Sequence, residues 1–239
     1  MTTAETGPRA RARAQTIADI KRVGREQLAQ HGAAALSLRA VARELGMVSS
    51  AVYRYVSSRD ELLTMLVVDG YNALGDAVDA ALVEAGDQPA ARVRALATTV
   101  RKWALAEPAW YALLFGTPVP GYAAPAETTV TPGVRVVSAL IGIVDRAYRD
   151  GQLSGPLVDS AVSATTARDF DTIRAQFDLA IPDALLAVAL TVWTTLFGAI
   201  NFDVFDMYGT DTFTDRGEIF DLQVDSMVGL LGMGPIARK

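Results

Sequence analysis

The stretch Ser37 to Leu63, SLRAVARELGMVSSAVYRYVSSRDELL, decides the fold of this chain. Its apolar residues recur at helical spacing on either side of Gly46, with Leu38, Val41, Ala42 and Leu45 before it and Val52 and Val56 after it. Two short amphipathic helices joined by one Gly-containing turn are the sequence form of a helix-turn-helix. Ser37 stands where an N-cap belongs, Ser49 or Ser50 caps the second helix, and Ser57 or Ser58 caps a third. The first turn of that third helix holds Asp60 and Glu61, acids that suit the positive end of a helix dipole. It runs on through Leu62, Leu63, Leu66, Val67 and Tyr71 toward about Glu84, longer than one compact module needs, and so reads as a lever from Ser58 onward.

Upstream, Ile17, Ile20, Gly24 and Leu28 fall on one stripe of a helix over Arg13 to Gln30, with Gly32 as its C-terminal cap and His31 assisting the helix end. Residues 1–12 are mostly Ala, Thr, Gly, Pro and Arg without periodicity, and read as a disordered basic arm. Arg9, Arg11 and Arg13 of that arm are candidates to reach a DNA groove, against the plainer reading of a solubilising tail. Downstream, Pro89 opens a helix striped by Val93, Leu96, Ala97, Val100 and Leu105, which Glu107 and Pro108 stop. The four prolines and two glycines of residues 116–132 predict a loop. Helices are expected again over Gly133 to Asp150, Arg168 to Leu179, Pro182 to about Phe205 and Thr214 to Leu231, while Gly155 and Pro156 break the stretch Ser154 to Ala167, whose remainder reads as either loop or weak helix. With no period-2 pattern longer than a few residues, the fold class is all-α, about nine or ten helices in all. The domain reading is arm 1–12, helix-turn-helix 13–60, and a larger helical body 61–239.

Charge is distributed in the same way. The chain of 239 residues carries a net −5, which by itself argues against a nucleic-acid partner. Residues 1–60 nevertheless hold ten Lys or Arg against five acids, a balance of +5, and the rest of the chain carries −10. A basic head meets phosphate while the acidic body stays clear of it. The chain has no Cys and one His, which excludes disulfides, thiolate chemistry and most zinc sites. The N-terminus lacks the apolar core of a secretory signal, no eighteen-residue uninterrupted apolar run marks a membrane span, and the expected location is the cytoplasm.

In a helix-turn-helix the second paired helix enters the major groove, and here that is Ser49 to Tyr55. Ser49, Ser50, Tyr53 and Arg54 are expected to face outward, the two serines as candidates for base edges; Met47 and Val48 in the turn offer apolar contact to a thymine methyl, and Arg39 on the preceding helix suits a guanine edge. Ser37, Tyr53, Tyr55 and Arg59 suit phosphate, because hydroxyls and a cation position a duplex without reading it. The competing reading is a plain helical packing motif with solvated arginines.

The string Leu38-Arg39-Ala40-Val41-Ala42-Arg43-Glu44-Leu45-Gly46, then Val48-Ser49, Ala51-Val52-Tyr53-Arg54-Tyr55 and Ser58-Arg59-Asp60-Glu61-Leu62-Leu63, resembles the N-terminal domain of TetR-family transcriptional regulators over about residues 13–65. The resemblance implies a homodimeric, all-helical regulator whose C-terminal body binds a small molecule and changes the spacing of its paired heads. By position, Tyr53 would contact phosphate and Arg59 matches the usual Lys. Val56 stands where the family usually has Phe, and Tyr55 where His or Tyr is common. Trp193-Thr194-Thr195-Leu196-Phe197-Gly198 is similar to the Trp-x-x-Leu-His-Gly signature of one C-terminal subgroup, with Phe197 in place of the His.

Aromatic residues fall on several helices of the body, and Trp103, Trp110, Phe170, Trp193 and Phe197 are the candidates for a pocket that takes a small apolar or aromatic effector. The plainer reading is that they fill the core. The acids Asp203, Asp206, Asp211, Asp215, Glu218, Asp221 and Asp225 do not match a calcium loop and read as a solvated acidic edge. Two apolar faces, Leu185, Val188, Ala189, Val192, Leu196 and Ala199 and then Phe220, Leu222, Met227 and Leu230, are expected to pair in a two-fold homodimer. The function expected is a repressor that leaves a pseudo-palindromic double-stranded operator when the effector binds. The alternative is a helical carrier or sensor without DNA binding. Neither a nucleophile and base pair nor a phosphate-binding Gly loop stands out, so the expectation is no enzyme, with no catalytic residue, cofactor or metal.

Overall fold

A computed structural model describes residues 7–154 and 162–234. Residues 1–6 of the expected arm and the break at Gly155 and Pro156 lie outside the described residues. Eleven α-helices and one 3-10 turn follow one another, with no strand among the described residues: α1 (Pro8–His31), the 3-10 turn (Ala33–Ala35), α2 (Leu38–Glu44), α3 (Ser49–Val52), α4 (Arg59–Glu84), α5 (Pro89–Ala106), α6 (Pro108–Phe115), α7 (Ala126–Gly133), α8 (Arg135–Arg149), α9 (Ala164–Phe177), α10 (Asp183–Val204) and α11 (Arg216–Leu230). The all-α reading therefore holds.

Two expectations are corrected and one open alternative is decided. The disordered arm gives way to helix from Pro8, because Pro at the first helical position, with Ala10 and Arg11 donating to the Gly7 carbonyl, starts α1 before the arginines. The loop over 116–132 contains α7, whose first turn is closed by Thr128 and Thr129 bonding the Pro125 carbonyl. Pro132 falls in its last turn, where it lacks the N–H that would donate to the Thr128 carbonyl and so helps to end the helix. Helix α9 starts four residues before Arg168, because Ser163 accepts from the Thr166 N–H at 3.2 Å and caps it.

The chain divides into two compact units, one of Met1–Ala73 with Glu107–Gly133, the other of Leu74–Ala106 with Val134–Lys239. The contact boundary falls within α4, beyond the residue 60 read from the helix-turn-helix pattern, and α6 and α7 join the first unit. In that unit Ile20 and Val23 of α1 pack with Leu36, Leu38, Val41, Val52, Val56, Leu62 and Leu66 in one apolar cluster. Val56 has no exposed surface, so Val fills the place behind the recognition helix where a Phe is usual.

In the second unit α10 is the central element and packs against α5, α8, α9 and α11. By length and composition α10 is apolar enough to cross a membrane. Its apolar surface is instead occupied from within the unit, with Leu185, Leu186, Ala189 and Val192 all buried.

Candidate nucleic-acid interface

The turn between α2 and α3 is set by backbone chemistry. Gly46 takes φ 65, its N–H bonds the Arg43 carbonyl at 3.2 Å, and the Met47 N–H reaches back to Ala42 at 2.8 Å. This pair of bonds is a Schellman closure, which needs a left-handed residue that Gly supplies without a Cβ penalty. Helix α3 then leaves with Val52 and Val56 buried and Val48, Ser49, Ser50, Tyr53 and Arg54 exposed. Val48 is 71% and Tyr53 45% exposed, large apolar surface that a helix packing motif would have covered.

The N-cap positions of α2 and α4 are as expected and that of α3 differs. Ser37 occupies the N-cap of α2 but its side chain makes no capping bond; its N–H donates to the buried Gln27 Oε1 at 3.4 Å. Val48, and neither Ser49 nor Ser50, is the N-cap of α3, which leaves both hydroxyls on the outward first turn. Ser58 caps α4 as expected, accepting from the Glu61 N–H at 3.0 Å, while Glu61 accepts from the Ser57 N–H and hydroxyl at 2.6 Å each.

The other predicted contacts divide sharply. Arg39 is exposed on α2. Tyr55 is half-buried, with the Arg13 guanidinium 5.3 Å from its ring centroid and Arg13 Nη1 donating to the Arg54 carbonyl at 3.4 Å. Arg59 turns inward: it donates to the carbonyls of Ala33 at 2.9 Å, Leu36 at 3.2 Å and Ala34 at 3.3 Å, and pairs with Asp60 at 3.4 Å. The phosphate candidate thus also closes the connection between α1 and α2. Gln27 and Arg13 were not singled out from sequence as parts of this framework. A polar residue seven positions after Ile20 on a buried stripe was the available signal for Gln27.

Residues 20–66 match the family model for bacterial regulatory proteins of the tetR family, and residues 93–227 match that for the tetracyclin repressor-like C-terminal domain. HTH-type transcriptional regulators of Mycobacterium bovis and Mycobacterium tuberculosis are each 45% identical over 230 residues, covering 96% of this chain and 97% of theirs. The crystal structure of a regulatory protein designated SCO4313 superposes with a TM-score of 0.76 at 33% identity, covering 93% of this chain and all of that one. The chain belongs to the TetR family. It is a transcriptional regulator with a helix-turn-helix DNA-binding domain.

In this TetR-family regulator the five aromatic candidates do not all fall in the same unit. Trp110 lies in the first unit, where its Nε1 donates to the Leu66 carbonyl at 3.1 Å and the Arg25 guanidinium sits 4.3 Å from its ring. Glu107 also holds Arg25 in an ion pair. Trp103, Phe170, Trp193 and Phe197 lie in the second unit, and of these Trp193 and Phe197 meet one turn apart on α10, ring centroids 4.4 Å apart and planes tilted by 50°. Phe170 is buried, whereas Trp103, Trp193 and Phe197 keep partial exposure. An open depression of about 460 Å³ in the same unit, between Pro89, Ala90, Gln152 and Met233, is lined by none of the five.

The acidic edge is corrected in part. Asp203 is buried and pairs with Arg101 at 2.6 Å and Arg216 at 3.8 Å, Asp225 pairs with Arg94, and Asp215 caps α11 through the Glu218 N–H at 3.0 Å. Among the described residues no cluster of acids or His could hold a metal ion. The dimer faces are corrected too. Leu185, Val188, Ala189, Val192, Leu196, Ala199, Phe220 and Met227 are buried inside the unit, and only Leu222 and Leu230 remain exposed.

Burial also acts on two phenols of the first unit. It pushes the Tyr111 hydroxyl well above its ordinary range, and raises Tyr71 together with the influence of neighbouring Tyr122.

Proposed function

We propose that this regulator is a ligand-responsive repressor, working as a cytoplasmic homodimer on a pseudo-palindromic operator and released by a small apolar molecule. The observation that carries the DNA reading is the exposed face of Val48, Ser49, Ser50 and Tyr53 set on a fully buried Val52 and Val56. Apolar and hydroxyl groups presented together on one rigid face suit base edges and phosphates. In this reading Arg39, exposed on α2, takes a guanine edge, and Ser37, Tyr55 and Arg59 serve the phosphates. No observation of the structure favours a carrier without DNA binding.

For the dimer, the exposed faces of α10 and α11 offer Thr191 and Thr195, then Leu222, Ser226 and Leu230. Small side chains allow close helix approach, and two exposed leucines supply the apolar contact. For the effector, the partly exposed Trp193 and Phe197 pair is the aromatic surface best suited to a flat apolar molecule, with Trp103 and Phe170 in the same unit. Induction requires that the molecule bind one arrangement of the heads better than the other.

The test is a mobility-shift titration on the DNA flanking the regulator's own gene, with random duplex of equal length as control. Tyr53→Ala is expected to weaken the specific complex, and Leu222→Glu to abolish it with loss of the dimer in sedimentation. Equal retention of specific and random DNA by the native protein overturns the reading.

A further inference from the structure

We infer that the first two turns of α1 are a rigid second DNA-contact element, in which Arg9 meets a phosphodiester oxygen just outside the half-site that α3 reads. The inference rests on the DNA-binding reading and adds to it a contact outside the helix-turn-helix. Every residue from Gly7 to Gln15 is exposed, so no apolar burial holds these turns in place. They are helical because α1 is already nucleated by its buried half, Ala and Arg propagate a helix well, and Pro8 supplies the start.

This segment breaks a local rule. A helix N-terminus carries partial positive charge and is stabilised by acids, yet here the first turn has none, Arg9, Arg11 and Arg13 follow in alternation, and the first acid within α1 is Asp19. Such an arrangement costs stability by itself and is offset when an anion lies against it.

Position identifies the anion. Arg13 is fixed to the far end of the recognition segment, through the Arg54 carbonyl at 3.4 Å and the Tyr55 ring. Arg9 is four residues earlier, so it shares that side of α1 and stands about 6 Å further along the axis. Arg11 is two residues from each and points to the opposite side of the helix. When α3 lies in the major groove, the duplex strand that borders it passes the end held by Tyr55, and Arg9 extends along that side. The partner of matching charge there is the phosphate backbone.

The experiment uses fluorescence anisotropy with two duplexes cut from the segment that the native protein protects in a nuclease footprint. One ends at the palindrome edges and the other carries about six more base pairs on each side, roughly 20 Å of added duplex at each end. Native protein is expected to bind the longer duplex several-fold more tightly, and Arg9→Ala to remove that difference. On the longer duplex Arg9→Ala should also lower the slope of log affinity against log salt by about 2, close to one phosphate per protomer. Arg11→Ala should retain most of the native preference. Equal binding of native and Arg9→Ala proteins to the longer duplex overturns the inference, as does an equal loss in Arg9→Ala and Arg11→Ala, which is the signature of diffuse charge. Native protein that binds neither duplex specifically overturns instead the DNA-binding reading on which the inference rests.

Discussion

Arg59 Nε donates to the carbonyl oxygen of Leu36 at 3.2 Å, across 23 residues of sequence. The same guanidinium reaches Ala33 and Ala34, so one planar fork gathers the carbonyl ends of the 3-10 turn and fixes where α2 begins. Gln27 holds the next N–H, that of Ser37, from the opposite side.

An ammonium cannot reproduce this fork. Arg59→Lys is therefore expected to cost about 1–3 kcal/mol in urea unfolding, close to the cost of Arg59→Ala, because charge-assisted hydrogen bonds are lost in both. Full retention of stability by Arg59→Lys would leave Arg59 as a phosphate contact alone.

Trp110 is held by three neighbours: Leu66 through its N–H, Arg25 over its face, and Gly70, where an added Cβ would stand 3.2 Å from Nε1. Trp110→Phe should cost about 1 kcal/mol for the lost hydrogen bond, and Trp110→Ala about 3–5 kcal/mol for the cavity. Neither variant should change effector affinity measured by calorimetry at temperatures where it remains folded. An effector affinity that collapses in Trp110→Phe would return this residue to the pocket.

Asp203 sits between Arg101 and Arg216 with 6% of its side chain exposed. Removing one partner from a buried pair strands the other charge, so Asp203→Ala should cost about 3–5 kcal/mol by denaturant titration. Asp221→Ala, on the exposed face of α11, should fall within about 0.5 kcal/mol of native. Calcium and chelators should leave the thermal midpoint unmoved, because Asp203, Asp206 and Asp225 already hold arginines and no three acids among the described residues are grouped to hold an ion.

Alkaline pH probes the first unit through Tyr111 and Tyr71, whose folded-state pKa values are raised from 10.0. Above pH 10 the unfolded chain releases both protons while the folded one keeps them, so stability is complete below that pH and falls as pH rises through and beyond it. Urea midpoints measured between about pH 8 and 11 should fall less steeply in Tyr111→Phe than in the native protein. Parallel slopes in the two proteins would show that the buried phenol does not govern the decline.

The helix-turn-helix was legible because its signals are local. Gly46 at a left-handed turn, Ser58 three residues before Glu61, and apolar positions at helical spacing each act within a few residues. The start of α1 was misread because a run of Ala, Pro and Arg has no apolar periodicity. Its helicity comes from a neighbouring segment that is already folded. The dimer faces were misread for the opposite reason: Leu185 and Val192 carry a clear stripe, and periodicity reports that a face is buried without saying by what.

By itself, then, the sequence determined an all-helical regulator with a basic reading head, since helix periodicity, caps and charge are written residue by residue. The helix-turn-helix pattern placed Ser49, Ser50 and Tyr53 on its outward face, with Val48 in the turn before them, for the same reason. Only the tertiary structure decided that Arg59 faces inward, that Trp110 belongs with Leu66 and Arg25, that Asp203 is an ion-pair partner, and that most of the α10 stripe is covered by its own unit. Each of these depends on residues far apart in the chain, and the partner of a long polar or aromatic side chain is fixed by which helices pack together, which no local pattern records.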